Sequence, residues 1–66
     1  MIVLTVKQQR MGTAAMHAGG AAYLASLLAK TVANGDIAAA LVLDELLRVN
    51  LDKARDALRA AYEASL

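Results

Sequence analysis

Residues 30–40 read KTVANGDIAAA, and the centre of this stretch decides how the chain folds. Gly35 is suited to end a helix, because glycine adopts the left-handed backbone found just past many helix C-termini. Asp36 follows directly and is a preferred helix N-cap. The stretch therefore predicts a tight turn between two helices, the first ending at Ala33 and the second beginning at Ile37.

The sequence on both sides of this turn favours helix, since it contains no proline and is rich in alanine and leucine. The apolar spacing predicts a first helix over residues 13–33 and a second over residues 37–49. Asn50 can cap a third helix over residues 51–64, and one continuous helix through Asn50 is the alternative. The prediction is a single all-α domain over residues 1–66, a helical hairpin plus a third helix.

The N-terminal segment, residues 1–10, has three interpretations. Its apolar start is rich in β-branched residues, which are typical of a short strand. Thr5 and Gln8 have the spacing of a capping box, which instead predicts a helix beginning near Val6. An extended arm is the third possibility, and the residues do not decide among the three.

The hydrophobic content predicts self-association. Of the 66 residues 59% are hydrophobic, yet so short a chain buries only about 60% of its unfolded surface. Small domains of this kind are reinforced by disulfides, metals or oligomerisation, and there is no cysteine to form a disulfide or a thiolate metal site. We therefore expect a homo-oligomer, with a homodimeric bundle favoured.

The first helix carries an alanine seam, a row of alanines spaced three and four residues apart. Such rows let two helices approach closely. The second helix has a broad apolar surface, which indicates contact with more than one neighbour. The predicted oligomer interface combines the two, at Ala15, Ala18, Ala22, Ala25, Ala29, Val42 and Leu46.

The sequence offers little for catalysis. His17 is the one residue that ordinarily titrates near neutral pH, but its helical neighbours one turn away are Thr13 and Ala21, and every acid lies beyond residue 35. The acids also lack the spacing of a metal site, and no glycine-rich phosphate loop is present. We therefore predict no catalytic residue, no metal and no cofactor.

Two other functions have support in the pattern. If residues 2–9 form a strand, Thr5, Lys7 and Gln9 project from one face, as in the DNA-binding ribbon of a dimeric transcriptional regulator. Residues 11–29 carry no formal charge and are nearly long enough to span a membrane, although alanine and glycine give them a weak driving force for insertion. Both remain alternatives.

Charge is uneven along the chain, at +3 over residues 1–35 and −2 over residues 36–66. Three basic residues are too few for a typical nucleic-acid footprint, and opposite charges on the two halves favour their packing together. The preferred interpretation is a cytoplasmic, non-enzymatic protein–protein interaction module. It would act as an adaptor or as an inhibitor of a larger protein, and its size suits a phage or mobile-element accessory protein.

Overall fold

A computed structural model describes residues 3–66 as two antiparallel helices, α1 over Val6–Ala33 and α2 over Ile37–Ala64. The all-α class is therefore confirmed. The third helix is wrong, because α2 continues through Asn50, whose side-chain amide donates to the carbonyl of Leu46 one turn earlier. No glycine or proline interrupts α2 at this point, and its seven-residue packing pattern continues on both sides. A cap at Asn50 would have to break that pattern.

The helix α1 begins seven residues earlier than its sequence pattern predicts, and the capping box explains why. The hydroxyl of Thr5 accepts a hydrogen bond from the backbone N–H of Gln8, at 3.1 Å. The side-chain oxygen of Gln8 accepts in return from the N–H of Thr5, at 2.9 Å. Two helix-end donors are thereby satisfied, and helix replaces the strand interpretation for residues 6–10.

The turn between the helices lies where residues 34–36 predict it. Gly35 has φ +76°, a left-handed conformation that glycine adopts without strain. Its N–H bonds to the carbonyl of Val32, and the N–H of Asp36 bonds to the carbonyl of Thr31, which is a Schellman motif. The Asp36 carboxylate then accepts from the N–H of Ala39 at 3.1 Å and caps α2.

The helices pack through heptad rows, in which inward-facing residues alternate at spacings of three and four. Near the turn these positions hold leucines, including Leu24, Leu28, Leu43 and Leu47, all of them half-buried. Toward the open end they hold alanines, and the buried residues of the described chain are Ala14, Ala21, Ala54 and Ala61. Packing between the helices therefore changes from large to small side chains away from the turn.

Two contacts fix the register of the hairpin. A Cβ placed on Gly20 would lie 3.2 Å from the Asn50 side-chain oxygen, so the two residues face one another. Further out, the Arg10 guanidinium donates to the carbonyl oxygen of Ala60 at 2.8 Å. In each pair the two residues lie equally far from Gly35 along the chain, 15 residues for Gly20 and Asn50 and 25 residues for Arg10 and Ala60. The result is a slab of 47 × 24 × 12 Å, one helix thick.

Candidate protein-interaction surface

The first broad side of the slab is its alanine face. On α1 it consists of the positions next to the buried Ala14 and Ala21 and their heptad equivalents; on α2 it follows Ile37 and Asp44 at intervals of seven. A second row of α2, at intervals of seven from Leu41, lies on the same side. The apolar members of this face are Met11, Ala15, Ala18, Ala22, Ala25, Ala29 and Val32 of α1 and Ile37, Leu41, Leu51, Leu58 and Tyr62 of α2, and the charged Asp44, Arg48 and Arg55 lie among them. The apolar members are all exposed, including 74% of Ile37 and 66% of Leu41.

The opposite broad side is the tyrosine face. It is formed by Met16, Tyr23 and Leu27 of α1 and by Val42, Leu46 and Val49 of α2. Tyr23 is 66% exposed and Val42 is 60% exposed. Lys30, Lys53 and Asp56 lie at its edge by helical spacing, so this face has an apolar centre and a charged border.

A cleft of about 290 Å³ lies where the alanine face meets the turn. Its walls are almost wholly apolar, with Leu28 and Val32 on one side and Ile37 and Leu41 on the other. The carboxylates at the cleft have structural partners, since Asp36 caps α2 and Asp44 forms an ion pair with Arg48 at 2.9 Å. This cleft is a continuation of the alanine face and has the chemistry of a packing surface.

The structure divides the predicted interface residues between the two faces. All five alanines of the predicted seam are exposed on the alanine face. Val42 and Leu46, exposed by 60% and 46%, lie on the tyrosine face instead. One flat partner surface cannot cover both sets, so these residues belong to two separate candidate surfaces.

The alanines through which α1 contacts α2 are not among the residues predicted from the sequence. These are Ala14 and Ala21 on α1, one position before the seam residues Ala15 and Ala22. A signal was present in the seven-residue spacing of Ala14, Ala21 and Leu28, which continues the row of leucines near the turn. Because alanines lie on several sides of α1, that spacing alone did not single out this row.

The residues of the DNA-binding alternative do not form the ribbon that it requires. Thr5 is the N-cap of α1, and Lys7 and Gln9 lie in its first two turns. Residues two apart in sequence are separated by about 200° around the helix axis, so Lys7 and Gln9 do not share a face. The arrangement expected of a strand is therefore absent from residues 3–10.

His17 lies half-buried between the helices, at an inward heptad position that the register of the hairpin places near Ala54.

No group of three or more histidine, cysteine or acidic side chains within residues 3–66 is arranged to hold a metal ion. In the same part of the chain, neither helix combines the length and apolarity needed to cross a membrane. The exposed apolar faces are thus the dominant feature of the described surface.

Comparison with protein-family models, with curated proteins and with solved structures finds no match to this chain.

Proposed function

We propose that this chain is a non-enzymatic protein–protein interaction module of the cytoplasm, an adaptor or an inhibitor of a larger protein. One observation carries the proposal: the hairpin is a single layer with large apolar side chains exposed on both broad sides. Stable domains bury such faces between at least two layers of secondary structure. A binding partner would supply the second layer, and binding one is then the principal activity of this surface.

The tyrosine face has the composition of a binding surface for a different protein. Tyrosine and methionine are enriched at protein interfaces, and Tyr23 and Met16 are each 66% exposed here. Val42, Leu46 and Val49 supply the flat apolar area around them. The charged residues at the border would restrict which proteins can bind, because unmatched charges at an interface disfavour the wrong partner.

The test is cross-linking of an affinity-tagged chain in its native host, followed by identification of the proteins recovered. We expect a protein of defined stoichiometry that is lost with Leu46→Glu, since this change places a charge within the tyrosine face. Arg59→Glu is the matched control, because position 59 lies on the polar outer side of α2 and should leave recovery unchanged.

The outcome against the proposal is equally specific. If Leu46→Glu and Arg59→Glu recover the same proteins in the same amounts as the wild type, the tyrosine face binds no partner. If no other copy of the chain is recovered either, the chain is not an interaction module.

A further inference from the structure

The hairpin exposes more surface than a folded chain of its size normally does. Its accessible surface is 4961 Å², whereas a compact monomer of this mass is expected to expose about 4,000 Å². Its radius of gyration is 15.1 Å, against about 11 Å for a compact domain of this length. The excess of about 1,000 Å² is close to the roughly 800 Å² that each partner contributes to a standard protein interface.

The alanine face is the more suitable of the two faces for a second copy of the chain. Between Arg10 and Lys30 the helix α1 carries no charged residue, so its half of this face is free of charge over five turns. The other half carries the exposed Ile37, Leu41, Leu51 and Leu58. Burying this face would desolvate the Asp44–Arg48 ion pair near its middle and Arg55, which lies seven residues beyond Arg48 and pairs with Asp52 at 3.4 Å; the charges of the face are thus confined to its α2 half.

The face is also complementary to itself. A symmetric dimer needs one surface patch that matches its own copy after a two-fold rotation. Around Ala22 the α1 part of the face has this property in its small side chains: Ala15 and Ala29 lie seven residues to either side, and Ala18 and Ala25 lie four residues before and three residues after it. An antiparallel pair of α1 helices centred on Ala22 therefore brings Ala22 against its own copy and Ala15 against Ala29, and sets Ala18 level with Ser26 and Ala25 level with Gly19.

We propose that a second copy of this chain covers the alanine face, with the two-fold axis near Ala22 and the two α1 helices antiparallel. This inference rests on the proposed function, that the chain is an interaction module. The methyl side chains allow an interaxial distance near the lower end of the usual 8–10 Å range, at about 8 Å. The same rotation brings Leu58 of each copy toward Ile37 of the other. The assembly is a four-helix bundle that leaves both tyrosine faces exposed for a different partner.

The test uses single cysteines, because the chain contains none. Ala22→Cys lies on the proposed axis and should form a disulfide with its own copy in a glutathione buffer, since a disulfide needs Cα atoms about 4.4–6.8 Å apart. Ala15→Cys alone should stay reduced, because its two copies lie about 20 Å apart along the helix. An equimolar mixture of Ala15→Cys and Ala29→Cys should form the mixed disulfide dimer.

Tyr23→Cys is the matched control, since it is adjacent in sequence to Ala22 but lies on the opposite face and should remain reduced. Sedimentation equilibrium of the wild-type chain should give twice the chain mass. A monomer overturns the inference, as does a dimer in which Ala22→Cys cross-links no more than Tyr23→Cys. A monomer that still recovers a Leu46-dependent partner from the host would leave the proposed function standing and remove only this inference.

Discussion

The side-chain oxygen of Asn50 lies only 3.2 Å from the position that a Cβ on Gly20 would occupy. A glycine in the middle of one helix thus accommodates a polar side chain from the other. Glycine costs about 1 kcal/mol of helix propensity relative to alanine. At position 20 the absence of a side chain permits a close contact between the helices. A Cβ placed on the adjacent Gly19 would have no atom within 4 Å.

The two glycines should therefore respond differently to alanine. We expect Gly19→Ala to raise the free energy of unfolding by about 0.5–1 kcal/mol, because it gains helix propensity in open space. Gly20→Ala should gain less, since the Asn50 side chain must move away from the new methyl group. Urea unfolding of both variants measures the difference, and equal gains would contradict the contact.

A double-mutant cycle tests the same contact from its other side. In an Asn50→Ala background the obstacle to a methyl group at position 20 is removed, so Gly20→Ala should recover the full gain of about 1 kcal/mol. The two substitutions should then show a coupling energy of about 0.5 kcal/mol or more, as expected for residues in contact. Additive effects would mean that Asn50 does not restrict position 20.

The cap of α2 gives a third prediction. Asp36→Ala removes the side chain that accepts from the N–H of Ala39, and should lower the free energy of unfolding by about 1 kcal/mol. Asp36→Asn keeps an oxygen in the same place and should lose much less. Thermal unfolding followed by circular dichroism compares them. Equal losses would assign the effect to charge rather than to the cap.

The alanine face gives a fourth prediction. Ala22→Leu overpacks the proposed contact between the two α1 helices and should weaken dimerisation by about 1–3 kcal/mol. Ala38→Leu adds the same side chain at an exposed outer position of α2 and should leave the dimer intact. Sedimentation equilibrium over a range of concentrations measures both. If Ala22→Leu keeps the wild-type mass and melting temperature, the alanine face is unpartnered surface.

The turn could be predicted from the sequence because Gly35 and Asp36 act locally: one supplies the left-handed backbone and the other the cap. Asn50 was ambiguous for the opposite reason. Asparagine is favoured as an N-cap, but it also fits within a helix when it lies against a glycine of the opposite helix. That contact with Gly20 depends on the register of the hairpin, which residues near position 50 do not specify.

The candidate surfaces were predictable only in part, for a related reason. Alanines occur on several sides of α1, and the inward Ala14 and Ala21 differ from the outward Ala15 and Ala22 by a single position. Side-chain volume does not distinguish the two rows. What selects the inward row is its continuation into Leu28, which the turn places opposite the leucines of α2.

The change from leucine to alanine along the hairpin has a mechanical consequence. Both helices are 28 residues long, and the first residue of α1, Val6, lies level with the last residue of α2, Ala64, at the open end. A force that pulls these two helix ends apart would unzip the hairpin from that end, against the weak resistance of alanine contacts and the Arg10–Ala60 hydrogen bond. Resistance would rise past Asn50, where the leucines near the turn must separate, so the molecule should yield in two steps under tension.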